Sequence, residues 1–248
     1  MHGMIFDTFY FNGELDTLEV RLTLLDPVVD KFIILEASET FTGIPKPSFF
    51  LENKERYAKW AHKINYFFLP QGMGDKEILA LALSSSNIGA GEHFWVREFY
   101  QKECLKQTLI GLKDEDMVFV SDVDEMWNPD LIPQGNEIYK LLQNGYIYYL
   151  NQRTDEDWHA FTGTIATKYK NIKNACLNHL RTYSKNTYVM VENGGWHFNA
   201  LNGMQKKIDS FKHPVYTIEY MKTREKGLRR DNTIPKILLD NFPHLCLQ

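Results

Sequence analysis

The sequence predicts an α/β fold built on a mostly parallel sheet flanked by helices, with a helical C-terminal segment. Three observations predict it. Ile5-Phe6-Asp7-Thr8-Phe9-Tyr10-Phe11, Phe32-Ile33-Ile34-Leu35 and Val118-Phe119-Val120 are short runs of β-formers, the pattern of strands buried on both faces. Between the first two, Leu15, Leu18, Leu22 and Leu25 recur at helical spacing. That makes a strand–helix–strand unit, whose two strands run parallel with a right-handed crossover. The third run ends in Ser121-Asp122-Val123-Asp124-Glu125. Its acids emerge where open α/β sheets bind ligands, at the carboxyl ends of the strands.

Each element follows from local chemistry. Asn12-Gly13 turns the first strand into the helix Glu14 to Leu25, and Asp26-Pro27 ends that helix. Glu36 closes the second strand. Residues 38–47, with two prolines and a glycine, form a loop on the same rim as Asp122. Glu52 to His62 reads as helix and Ile64 to Leu69 as a third strand. Ser84 to Gly91 reads as a small polar surface loop. His93 to Leu112 reads as one long helix with Trp95, Phe99, Cys104, Leu105 and Leu109 inward and Arg97 and Gln101 on another face. Beyond the acids, Glu137 to Gln143 reads as a short helix and Tyr146 to Leu150 as a strand. Thr164 to Thr167 reads as an edge strand and Tyr188 to Val191 as the last clear strand. Gly203 to Leu239 has a basic, helical pattern that includes Lys206, Lys207, Lys212, Lys222, Arg224, Lys226, Arg229 and Arg230; a solvated face is the plain reading of those charges, and closing over an anionic ligand is the sharper one.

The 248 residues, 44% of them apolar, suit one α/β domain. A net charge of -4 argues against a chain that grips nucleic acid through its overall field. Cys104, Cys176 and Cys246 are odd in number and form no Cys-x-x-Cys pair, so neither a zinc knuckle nor a disulfide framework is expected, and a reducing compartment fits. No apolar run is long enough to span a bilayer, and no basic segment with a cleavage site precedes Met4. A cytoplasmic protein is the expectation.

The acids carry the chemistry. In an extended segment Asp122 and Asp124 would point to one side. Two such carboxylates repel unless a cation lies between them, and a hard divalent ion such as Mg²⁺ or Mn²⁺ answers that need and also holds phosphate. An acidic turn is the plain alternative; the buried strand in front and Trp127-Asn128-Pro129 behind favour the metal. A second informative stretch is Glu192-Asn193-Gly194-Gly195-Trp196-His197-Phe198. Its paired glycines allow close backbone approach, and His197 is a candidate third metal ligand or phosphate partner. No P-loop, dinucleotide fingerprint or nucleophile elbow is present.

The order of several stretches resembles glycosyltransferase family 17. They are Phe11 to Leu22, Ile34 to Lys46, Trp95-Val96-Arg97-Glu98, Ser121 to Glu125, Gly194 to Phe198 and Lys207 to His213. The resemblance covers nearly the whole chain. It implies a GT-A type, Rossmann-like fold, with a nucleotide-sugar half over about residues 1–125 and an acceptor half over about 126–248. It also implies a UDP-sugar donor, N-acetylglucosamine as the sugar, an inverting outcome and a glycan acceptor. By the same analogy Asp122 and Asp124 hold the divalent metal with His197, while Glu36, Arg97 and Asp122 face the donor. Glu192 and Asp157 are the candidates for the base that takes the acceptor's proton, and Trp158 and Trp196 for stacking on sugar rings. The stem and membrane anchor of the animal members are not seen here, which favours a bacterial or viral relative. Two readings compete with a transferase. A haloacid-dehalogenase-like phosphatase shares Asp-x-Asp after a strand, but Met126 stands where that motif needs Thr or Val. A glycan-binding protein with lost activity is the other.

Overall fold

The computed structural model describes residues 3–85, 93–155, 163–182, 188–201, 203–211 and 217–248. In chain order the elements are β1 (Ile5–Phe11), α1 (Leu15–Leu25), β2 (Lys31–Ala37), α2 (Phe49–Glu52), a 3₁₀ segment (Lys54–Trp60), β3 (Ile64–Leu69), α3 (Lys76–Ser85), α4 (His93–Glu103), α5 (Leu105–Thr108), β4 (Met117–Asp122) and β5 (Glu125–Trp127). There follow β6 (Tyr139–Ile147), β7 (Gln152–Arg153), β8 (Ile165–Lys168), α6 (Tyr169–Ile172), α7 (Leu177–Thr182), β9 (Val189–Asn199), α8 (Met204–Phe211), α9 (Ile218–Lys222), β10 (Arg229–Arg230), α10 (Lys236–Asn241) and a closing 3₁₀ turn (Pro243–Leu245).

The described strands form one sheet in the order β10-β7-β6-β8-β4-β1-β2-β3, with β9 paired to β6 and β5. β3, β2, β1 and β4 are mutually parallel. That order is the Rossmann-like half of a doubly wound sheet. Beyond β4, β8 joins antiparallel, and β6 and β9 pair parallel to each other. Alternate side chains of the parallel strands feed two cores. Phe9, Phe11, Phe32, Ile34 and Phe119 point to the face covered by α1 and α10. Phe6, Tyr10, Ile33, Leu35, Val118 and Val120 point to the face covered by α3, α4 and α5. Burial on both faces is why these strands read as nearly continuous apolar runs.

One buried cation ties the first core to the rim. Arg21, on α1, is fully buried and grips both oxygens of Asp7, with Nε to Oδ2 at 2.7 Å and Nη2 to Oδ1 at 2.6 Å. Its Nη1 donates to the backbone oxygens of Asp122 at 3.0 Å, Val123 at 3.2 Å and Glu125 at 2.8 Å. Trp127 Nε1 donates to Asp7 Oδ1 at 3.0 Å, and the Trp127 ring stacks on Phe119. The turn after β4 is thus fixed from beneath by one guanidinium.

Several elements differ from expectation. Residues 137–143 carry helical spacing, yet 139–143 are the start of β6: Tyr139 and Lys140 pair with β8, and Tyr139 to Leu141 pair with β9. Tertiary pairing overrides local propensity there. Only Tyr146 and Ile147 of the expected 146–150 strand are extended, as the end of β6. The strand near 164–167 is internal, lying between β4 and β6. The long helix is divided at Cys104 into α4 and α5, and 52–62 holds mostly 3₁₀ turns. β9 does not stop at Val191 but runs to Asn199. The C-terminal part is helical in α8, α9 and α10, with the short β10 interposed. Ser86 to Gly91 of the expected polar loop lie outside the described residues, while Ser84 and Ser85 close α3. No helix among the described residues is long and apolar enough to cross a membrane.

Arg21→Met leaves the Asp7 carboxylate buried with its main partner removed. It is expected to lower the unfolding free energy by about 3–5 kcal/mol, read as a drop in the urea midpoint at unchanged m-value. A loss under about 1 kcal/mol, the range of an exposed pair, would show that the clamp is not a stabilising feature.

Candidate active site

The carboxyl ends of β1, β2 and β4 make one rim, with Tyr10 opposite Asp122 and Phe11 opposite Glu36. Asp122 is the last residue of β4, and Val123 and Asp124 form a turn. The extended geometry expected of the pair is therefore broken, and the two carboxylates meet different partners. Asp122 takes Lys102 Nζ at 3.0 Å from α4 and Arg181 Nη1 at 3.0 Å from α7. Asp124 takes Lys207 Nζ at 2.8 Å from α8, and its other oxygen lies 3.6 Å from His197 Nε2 on β9.

Burial by itself would raise both carboxyls. For Asp122 the charges of Arg181 and Lys102 outweigh it, and for Asp124 those of Lys207 and His197 do, so both are held well below the usual carboxylate range. Lys102 is shifted up in return: burial opposes its charge, but Asp122 and Glu98 prevail. Arg181 also donates to Glu125 Oε2 at 2.7 Å, the same oxygen that accepts the Asp122 backbone N–H at 3.0 Å. Helix α7, which carries Arg181, is held at its start by the buried Glu103 of α4. That carboxylate accepts the backbone N–H groups of Leu177 at 2.9 Å and Asn178 at 3.0 Å.

His197 is placed by the sheet. It sits opposite Glu125, and Gly195 sits opposite Trp127. A Cβ on Gly194 would lie 2.7 Å from the Leu141 backbone, and one on Gly195 would lie 2.1 Å from the Met126 carbonyl oxygen. Gly195 also has φ +142°. The glycine pair is therefore what lets β9 close against β5 and β6, with a bulge opposite Leu141–Gln143.

The other expected site residues lie as follows. Glu36 is fully buried and already engaged: it accepts from Lys46 Nζ at 3.0 Å, Tyr66 Oη at 2.9 Å, and the backbone N–H groups of Phe49 at 2.8 Å and Phe50 at 3.1 Å. It anchors the 38–48 loop beneath the rim. Arg97 pairs with Glu39 and lies against Gly43, tying that loop to α4. Glu192 is exposed at the bulge, five residues up β9 from His197, on the order of 15 Å of strand. Asp157 and Trp158 lie outside the described residues. Trp196 is half-buried against the first core.

The structure adds residues that the sequence reading did not single out, apart from Lys207, which lay within its basic C-terminal pattern. Lys102, Arg181 and Lys207 surround the two acids. Glu14 lines a cleft together with Thr17, Asp124, Phe198 and Lys207. Its Oε2 accepts the Asn12 N–H at 2.9 Å. Burial and the Asp124 charge push its carboxyl up to about 7. The only sequence signal for Glu14 was its place directly after the turn glycine on the site rim.

Among the described residues no three His, Cys, Asp or Glu side chains cluster as a ready metal cage. Asp124 and His197 do offer an oxygen and a nitrogen on one wall of the site. A small hard cation that takes one or two protein ligands and completes its shell with phosphate and water suits such a pair.

The family model described as glycosyltransferase family 17 matches residues 2–226. Over an alignment of 128 residues, which covers 49% of this chain and 21% of the relative's length, the chain is 27% identical to the β-1,4-mannosyl-glycoprotein 4-β-N-acetylglucosaminyltransferase of Rattus norvegicus. Among solved structures, the chain is similar to mouse xyloside xylosyltransferase 1 in its apo form, with TM-score 0.30 and 11% identity over 57% of this chain and 53% of that one. It is also similar to the mannosyltransferase PcManGT from Pyrobaculum calidifontis, in complex with GDP-Man and Mn2+, with TM-score 0.38 and 10% identity over 99% of this chain and 71% of that one. The family match takes in both the Asp122–Asp124 turn and the Gly194–Phe198 crossing, and the chain belongs to glycosyltransferase family 17.

Proposed function

We propose that this chain is a metal-dependent, inverting glycosyltransferase that moves N-acetylglucosamine from a UDP-sugar to a hydroxyl of a glycan acceptor. The observation that carries the reading is the meeting of Asp124 and His197 at the carboxyl rim of a Rossmann-like sheet, in a member of family 17. The 27% identical rat relative supports the choice of sugar.

In the transfer, the acceptor oxygen bonds to the anomeric carbon as the bond from that carbon to the UDP oxygen breaks. The electron pair leaves with the diphosphate, and the acceptor proton goes to a carboxylate. Mn²⁺ or Mg²⁺ held by Asp124 and His197 would supply charge neutralisation at the leaving group. Asp122, kept ionised by Arg181 and Lys102, accepts hydrogen bonds from donor hydroxyls. Arg97 steadies the 38–47 loop along the donor side. For the base we favour Glu14, which lines the cleft beside Asp124, over the exposed Glu192.

Calorimetry of UDP and UDP-N-acetylglucosamine tests the donor site. Wild type is expected to bind both only with Mn²⁺, and Asp124→Ala to lose about 100-fold or more in affinity. No nucleotide binding under any metal condition would sink the transferase reading and bring the glycan-binding alternative forward.

The base has its own test. A group that must be ionised gives activity that rises with pH through its pKa. Glu14→Gln is expected to lower kcat by about 100-fold or more and to abolish the acid limb of the kcat/KM profile, while Glu192→Gln keeps both. The same group marks stability. Its folded value lies above the ordinary carboxylate value of 4.5, so the stability it contributes is complete below about 4.5 and is lost as pH rises through about 7. Glu14→Gln should flatten that part of the metal-free stability profile; an unchanged slope would contradict the assignment.

A further inference from the structure

The least explained side chain at the site is Lys207. Its ammonium sits on Asp124 Oδ2 at 2.8 Å and also donates to Asn199 Oδ1. The other oxygen of Asp124 faces His197. One carboxylate is therefore shared between a lysine on α8 and the histidine with which it would hold a cation. The lysine stem lies along the wall of the cleft that also holds Glu14 and Thr17, a cleft open to solvent.

We propose that Lys207 is a metal-exchanged donor ligand: it neutralises Asp124 until a divalent cation binds there, and is then displaced onto the diphosphate of the nucleotide sugar. This rests on the metal and donor reading given above. The physics is that of like charges. An ammonium within hydrogen-bond distance of one carboxylate oxygen and a dication on the other repel strongly where, as here, the ammonium and the carboxylate are both largely buried. The ammonium is the partner that moves, because it is a compact charge on a flexible four-carbon stem. A diphosphate entering the same cleft offers it a more negative partner than the carboxylate it leaves. Lys102 and Arg181 do not take this part, since both are bound to Asp122, and Arg181 is also forked onto Glu125.

The exchange has two thermodynamic signatures. While Lys207 occupies Asp124, the apparent affinity for the metal is reduced by the fraction of molecules in which the carboxylate is available. Once the metal is bound, Lys207 adds a charge-assisted contact to the nucleotide. Removing the charge should therefore strengthen metal binding and weaken nucleotide binding. A lysine that only props up the fold would not produce opposite signs.

The test is Mn²⁺ binding to the full chain without nucleotide, by electron paramagnetic resonance, followed by UDP calorimetry at saturating Mn²⁺. The proteins are wild type, Lys207→Met, Lys207→Gln and Lys207→Arg. The uncharged variants are expected to bind Mn²⁺ about tenfold more tightly than wild type. They are expected to bind UDP about tenfold more weakly. Lys207→Arg keeps the charge and should stay near wild type in both. Lys207→Gln keeps a hydrogen-bond donor to Asp124, so the measurement survives if Lys207→Met fails to fold. Mn²⁺ affinity equal to or weaker than wild type in an uncharged variant, or undiminished UDP affinity, overturns the exchange and leaves the donor site standing. Absence of Mn²⁺ binding in wild type and every variant overturns the exchange together with the metal reading.

Discussion

The guanidinium of Arg21 is the constraint on which the site depends. Asp122, Val123 and Glu125 each give it a backbone oxygen, and Asp7 gives it both carboxylate oxygens. Without that clamp the turn after β4 would have to satisfy three carbonyls on its own while two carboxylates stood above it. With it, the backbone of the turn is fixed in the core while the side chains of Asp122 and Asp124 reach partners on other elements. The positive charge beneath the turn also offsets part of the negative charge on top. Phe9 packs against the guanidinium face, with the ring centroid 4.4 Å away, and both side chains are fully buried.

Around that fixed turn the acids are arranged in pairs with cations from different helices. α4 brings Lys102, α7 brings Arg181 and α8 brings Lys207. The site therefore presents little net charge to solvent, although it holds several carboxylates. This is a different solution from the one that the bare Asp-x-Asp suggests, in which a metal alone relieves the repulsion. The protein relieves it with its own side chains.

The first half of the fold was legible because its signals are local. β1, α1 and β2 each announce themselves by a short apolar run or a leucine stripe, and their order fixes their handedness. β6 was not legible, since Ile138, Leu141 and Leu142 fall at helical spacing and only pairing with β8 and β9 makes the segment a strand. The division of the site was hidden for a related reason. Asp122 and Asp124 look equivalent in sequence, and a turn that is held from below separates them. Lys102 and Arg181 belong to no motif, and Lys207 is one of many basic residues in its stretch; what reveals all three is contact with residues far away in the chain. Gly194-Gly195 was legible as a place of close approach, though not as the middle of a continuing strand.

The crossing of β9 over β5 also sets when the site comes into being. The Asp-x-Asp turn is made with β4, but His197 and Lys207 reach it only after β9 has paired with β5 and β6, and Lys207 lies 83 residues beyond Asp124. Pairings of such long sequence separation form late, because the intervening chain must first be closed into a loop. A chain still emerging from the ribosome thus carries its acidic motif long before it owns a pocket. The joined cluster of Asp124, His197 and Lys207 is thus a property of the finished molecule, which partly synthesised chains do not have.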